Sequence, residues 1–324
     1  MITEIKMNKL LLNIISVALF SLSSCSSTNI YEDPNYYYFE IDNNYELSTN
    51  LKEGNNERIH VIALLGQSNA TGCSYNEYLK KSVGEEQYQI YEQGFENVKT
   101  VFCLDNHSYC SVGEFVTTGL NCAAGEDRFG PETGMAEILN IEKENEKYYI
   151  LKFSMSGYSL NYHWLFNYER FFIYDAATIF IKTYMNQFID LGYNATLDAI
   201  CWMQGESDTT YEKAERYLEN TKHFASYLRE DLNEYIDSGL GLHFIDAGIS
   251  NSPYCEPAYK EINAAKVEFA KLSPLNHYFP TIENGLTTLY EPYENPDLGH
   301  YDALSMLKLG HLFGENLISI YNNK

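Results

Sequence analysis

The stretch that decides the fold is Ile59-His60-Val61-Ile62-Ala63-Leu64-Leu65-Gly66-Gln67-Ser68-Asn69-Ala70. Its first seven residues are an aliphatic-rich run, the pattern of a strand buried on both faces of a parallel sheet. Gly66 and the polar residues after it turn the chain, and a helix is expected next. Open α/β sheets hold ligands outside the carboxyl ends of their strands. Ser68 therefore stands where a cleft forms, displayed as a nucleophile instead of being packed. By itself the pentapeptide also fits an ordinary turn whose serine bonds its own backbone.

Working outward, further apolar runs predict strands over 98–104, 148–153, 197–203 and 241–247. Helical patterns fall over 132–144, 175–191, 211–235, 258–272 and 302–321. Strands separated by helices imply βαβ units and a parallel sheet, which needs helices on both faces. The expected fold class is α/β, a three-layer αβα sandwich with a central parallel sheet. The 324 residues permit one large domain, and 45% hydrophobic content supplies its core. Residues 74–130 are too many for one crossover, so an insertion over the rim of the site is expected.

Two later segments strengthen the reading of Ser68. Trp202-Met203-Gln204-Gly205-Glu206-Ser207-Asp208 closes the run 197–203 and lies at another strand end. Asp297-Leu298-Gly299-His300-Tyr301-Asp302 sits on a loop entering the last helix. Asp297 and His300, three apart, can face one point. The carboxylate then holds one imidazole nitrogen while the other faces a serine. Ser68, Asp297 and His300 form a set of nucleophile, orienter and base. An imidazole suits the base because it titrates near working pH. The competing reading makes the aspartate a helix cap, for which Asp302 is the stronger candidate.

With these three ordered motifs the chain resembles the sialate O-acetylesterase and carbohydrate esterase family 6 group of the SGNH hydrolase superfamily. The resemblance runs over residues 58–320. It implies a flavodoxin-like sandwich and a serine esterase that removes O-acetyl groups from carbohydrate, of acetylxylan or sialate type, through an acetyl-enzyme. Acetylated carbohydrate is the implied partner, and neither metal nor organic cofactor is called for. It also implies oxyanion donors: the backbone N–H of Ser68, the side-chain amide of Gln204 and a backbone N–H at Ser156-Gly157, assigned to Gly157. Here the chain departs from its relatives, which commonly carry Gly-Gly, and a glycine lets backbone approach a ligand closely. Gly66, Gln67, Asn69, Gly205, Glu206 and Asp208 are read as organising the loops, with Glu206 accepting backbone N–H groups of the nucleophile turn. Gly130-Pro131-Glu132 reads as a helix start with Glu132 a rim contact. Trp164 fits a sugar platform or, more commonly for such an aromatic, the core. Two rival functions remain: a surface glycan-binding protein of this fold that has lost catalysis, and a lipid-directed esterase.

The net charge of −23 repels nucleic acid and anionic membrane surfaces. Residues 1–25 stand apart from the fold. Lys6 and Lys9 precede an apolar stretch, 10–22, that is short for a membrane span and shaped like a signal-peptide core. It ends in Leu22-Ser23-Ser24-Cys25, which resembles a bacterial lipoprotein signal with Cys25 lipidated; an ordinary cleaved signal is the alternative. The expected location is thus the cell envelope, with membrane contact through lipid only. Residues 26–57 read as a tether, in which Tyr36-Tyr37-Tyr38-Phe39 can dock on the domain, and residues 58–324 as the esterase domain. Six cysteines remain. Cys201 reads as a core thiol. Cys103, Cys110 and Cys122 cluster where a disulfide is plausible for an exported chain, and with His107 they mimic a zinc set of irregular spacing.

Overall fold

The decisive run forms β1 (Arg58–Gly66), every residue after Arg58 buried. The computed structural model describes residues 49–323 apart from positions 112 and 121. The expected signal, Cys25 and the Tyr36–Phe39 cluster lie outside the described residues. Five more strands share the sheet: β2 (Phe95–Leu104), β3 (Tyr148–Ser154), β4 (Asn194–Met203), β5 (His243–Ala247) and β6 (Asn276–Phe279). They run parallel in the order β6-β5-β4-β1-β3-β2. Two short strands, Tyr109–Cys110 and Val116–Thr118, pair antiparallel with β2 at the edge.

Five long helices cover the sheet: α1 (Pro131–Lys143), α2 (Phe172–Asp190), α3 (Tyr211–Asp231), α4 (Tyr259–Lys271) and α5 (Ala303–Asn322). Successive strand residues point to opposite faces, so side-chain contacts sort the helices into layers. On one face His60 of β1 packs on Tyr321 of α5 with ring centroids 4.9 Å apart, and Lys152 of β3 reaches Glu132 of α1. On the other, Tyr149 meets Phe188 of α2 at 4.8 Å, Trp202 meets Phe224 of α3 at 4.6 Å, and Phe244 meets Phe269 of α4 at 5.4 Å. The result is the expected three-layer αβα sandwich.

The topology fixes where a site can form. β1 lies between β3 and β4, and Gly66 is in register with Ser154 on one side and Met203 on the other. The chain leaves β1 toward β3 and β2, then crosses to β4, β5 and β6. Ser68 follows the strand at which this order reverses, the switch point where doubly wound sheets open a crevice.

Several expectations change. The sixth strand was not foreseen. The segment 74–130 holds two helices, Asn76–Val83 and Glu85–Gln93, besides the edge strands. Residues 49–57, assigned to the tether, are bonded to the body: Asn50 exchanges two hydrogen bonds with the Phe115 backbone, and the Gly54 N–H donates to Leu191. All six described cysteines are free thiols, although Cys103 and Cys110 face each other in register. Cys201 is fully buried on β4. No set of side chains that could hold a metal occurs among the described residues, and the Cys103 thiol instead contacts His107 at 3.5 Å.

Candidate active site

The nucleophile turn begins with strain that only glycine tolerates. Gly66 has φ +149°, and a Cβ there would sit 2.0 Å from the Met203 carbonyl oxygen. The strand then ends abruptly. The Gln67 N–H still donates to Met203, while residues 68–71 coil into a single helical turn. Ser68 emerges at the carboxyl end of this central strand, and its hydroxyl bonds no described residue. It lines a cleft of about 830 Å³ together with Gly157, Asp297 and His300.

Asp297 and His300 meet as the spacing predicts. The carboxylate Oδ2 lies 2.6 Å from Nδ1 of His300, and its Oδ1 accepts the Gly299 N–H at 3.0 Å. The hydrogen bond to His300 holds the Asp297 carboxyl below its usual range. His300 is pulled two ways. Burial, the largest effect, disfavours its charged form, but hydrogen bonds to Asp297 and to the Cys73 thiol together raise it to about 10. Cys73 was not foreseen. Five residues beyond Ser68, it returns past the helical turn so that its thiol lies between His300 and the Ser68 carbonyl, 3.5 Å from the latter. Nothing in the local sequence distinguishes it from a core thiol.

The oxyanion donors divide. The backbone N–H groups of Ser68 and Gly157 have no acceptor among the described residues. Gly157 holds φ +78° with open space where a Cβ would stand. Ser156, which also lines the cleft, is held by Asp105: its N–H and hydroxyl both donate to that carboxylate, at 2.6 and 3.0 Å. Burial raises the pKa of Asp105, a residue the sequence did not single out. Gln204 departs from expectation. It is fully buried, and its amide donates to Asp208 at 2.6 Å, Gln67 at 3.3 Å and the Tyr158 carbonyl at 3.4 Å. An amide has two hydrogens, so none is left for a ligand. Gln204 is a brace.

The remaining motif residues form that brace. Asn69 donates to Glu206 at 2.7 Å and to the Gly299 carbonyl at 3.2 Å, and it accepts from the Tyr301 N–H at 3.2 Å. One side chain thus ties the nucleophile turn to the loop of Asp297 and His300. Glu206 fixes the turn through the Asn69 side chain, not through backbone N–H groups as expected, and burial raises its pKa. Asp208 accepts the N–H groups of Leu160 and Asn161 besides the Gln204 amide. Asp302 precedes α5, yet its carboxylate accepts the N–H groups of Leu289, Tyr290 and Glu291 and so pins the loop before Asp297. Glu132 is no rim contact: it is fully buried in an ion pair with Lys152 at 2.6 Å. Trp164 is core, edge-on to Trp202 at 4.9 Å.

With this geometry in place, comparison with known proteins decides the family. The family described as carbohydrate esterase, sialic acid-specific acetylesterase, matches residues 58–319. The chain belongs to this family. It is a carboxylic ester hydrolase, an O-acetylesterase. No curated protein matches the sequence. Among solved structures the esterase is similar to NanS, with TM-score 0.59 and 12% identity over 84% of this chain and 99% of that one. It is similar to a protein of Arabidopsis thaliana, with TM-score 0.58 and 15% identity over 81% and 98%. A carbohydrate acetylesterase of Xanthomonas citri gives TM-score 0.51 and 12% identity over 82% of this chain and 57% of that one. At such identities the likenesses establish the fold, and the chemistry rests on the residues of the cleft.

Proposed function

We propose that this chain is a serine esterase that removes O-acetyl groups from carbohydrate through an acetyl-enzyme. The observation that carries the reading is the Asp297–His300 bond at 2.6 Å in the same cleft as an unbonded Ser68 hydroxyl. Ser68 Oγ attacks the acetyl carbonyl carbon while neutral His300 accepts its proton. Asp297 holds the imidazole tautomer and stabilises the imidazolium. The oxyanion is held by the N–H groups of Ser68 and Gly157, which have no acceptor among the described residues and so cost little reorganisation. The C–O bond to the sugar breaks, and His300 returns the proton to the leaving sugar hydroxyl. Water then attacks the acetyl-enzyme by the same route, releasing acetate and restoring Ser68. We also propose that the enzyme is exported and anchored through lipid on Cys25.

Ser68→Ala tests the mechanism. The variant should fold as the parent does and lose at least ~1,000-fold in acetate release. A serine-directed phosphonate should add one adduct, at Ser68, to the parent and none to the variant. Activity within about tenfold of the parent, a loss of only ~1.4 kcal/mol of barrier stabilisation, would remove Ser68 as the nucleophile.

A further inference from the structure

The acetyl group needs only the bottom of the cleft. At about 830 Å³, the cleft lies in the upper part of the ~300–1,000 Å³ range in which pockets enclose drug-sized ligands, more than one acetylated sugar requires. Two aromatic rings stand on its wall, Tyr75 and Tyr254. Tyr75 is taken, since the Arg128 guanidinium lies on its face at 3.4 Å. Tyr254 is 57% exposed, stacks on no described ring and makes no hydrogen bond to a described residue.

Its setting is rigid. The neighbours Ser252 and Cys255 are buried. The Cys255 N–H donates to the Ser252 carbonyl, and Asn263 of α4 clamps both backbone groups of Ile249 at 2.8 and 3.0 Å. An exposed aromatic on a pinned turn is a preorganised apolar platform, and it lies close enough to Asp297 for the two to interact electrostatically.

Charge narrows the occupant. No lysine or arginine lines the cleft, where Asp297 lowers the potential further, in a chain of net charge −23. Recognition of a sugar carboxylate calls for a cation with donors free to meet it; His300, the lining group whose charged form is favoured, has its Nδ1 on Asp297 at 2.6 Å and a hydrogen bond to Cys73. Arg128, whose charge reaches Asp297, is not a lining residue: its Nη1 donates to the Cys73 carbonyl at 2.6 Å, its plane lies on Tyr75 and its Nε stands 3.5 Å from Asp127.

Building on the carbohydrate esterase reading, we infer that Tyr254 is a sugar subsite: its ring stacks an uncharged pyranose linked next to the acetylated one. The substrate is then an acetylated neutral oligosaccharide or polysaccharide, not a free acidic sugar. The apolar C–H face of a pyranose suits an aromatic ring, and the linkage carries the acetyl group toward Ser68.

The test compares kcat/KM on acetylated xylo-oligosaccharides, on O-acetylated sialic acid and on p-nitrophenyl acetate, for the parent, Tyr254→Ala and Tyr254→Phe. The parent should prefer the neutral oligosaccharide to the acetylated sialic acid. In Tyr254→Ala the ratio of oligosaccharide to aryl acetate activity should fall about tenfold, ~1.4 kcal/mol. Tyr254→Phe, which keeps the stacking face, should hold the ratio. An unchanged ratio in the alanine variant, an equal fall in the phenylalanine variant, or preference for sialic acid each overturns the inference while leaving the esterase reading intact. Turnover of the aryl acetate with no acetate released from any glycan defeats the carbohydrate reading itself, and the subsite with it.

Discussion

At the scale of single residues, the cleft works through one imidazole with two partners. Only neutral His300 can take the Ser68 proton, and Asp297 and Cys73 favour its charged form, raising its pKa to about 10. Below that pKa the neutral fraction grows tenfold per pH unit, so kcat/KM should climb with pH well past the ordinary histidine value near 6.5. Asp297→Asn removes the charge that pulls the pKa up. Its rising limb should move to lower pH, and its maximal rate should fall by ~100-fold or more because the tautomer is no longer held. Cys73→Ala should shift the limb the same way with a far smaller loss of rate. A pH–rate profile centred near 6.5 in the parent, or unmoved in both variants, would show that His300 is not the titrating base. The pairing of Asp297 with His300 was legible from their spacing, because both partners lie within one turn of chain. Cys73 was not, because its role depends on a loop more than two hundred residues away.

At the scale of elements, strands and helices with strong apolar periodicity were legible to within a few residues at most ends. β6 was not, since Asn276-His277-Tyr278-Phe279 is short, polar in part and at the sheet edge. The helices Asn76–Val83 and Glu85–Gln93 were missed for a related reason: they are short, with few buried residues, and lie inside the segment read only as an insertion. The motif residues were found, but two roles were not. Gln204 reads as a donor to ligand until Asp208 and Gln67 are seen to consume its amide, and Glu132 reads as surface until Lys152 is placed beside it. Both reassignments come from partners distant in sequence or hidden by the fold. The two strained glycines make a test at this scale. In Gly66→Ala the new Cβ meets the Met203 carbonyl of the neighbouring strand, which no side-chain rotation relieves. It should cost roughly 3 kcal/mol or more by denaturant titration. Gly157→Ala meets open space and should cost only the left-handed backbone, ~1–2 kcal/mol. Equal losses in the two variants would show that close approach between β1 and β4 does not set the nucleophile turn.

At the scale of the whole molecule, charge and tether act together. A chain of net charge −23 is repelled by anionic lipid, and no helix among the described residues is long and apolar enough to cross a membrane. The membrane contact proposed for this chain is lipid on Cys25. The body is bonded to its leading segment from Asn50 onward. Every residue of the cleft lies beyond that segment in the sequence. Full-length protein produced in a bacterial host should therefore partition with membranes, and Cys25→Ala should remain unlipidated. A chain beginning at Ser26 should be soluble and as active on p-nitrophenyl acetate as the anchored form, within about twofold, or ~0.4 kcal/mol of barrier. Mass spectrometry of the mature amino terminus decides the matter: a diacyl or triacyl Cys25 is expected, and an unmodified terminus at any other residue would make this a freely secreted esterase with the same cleft.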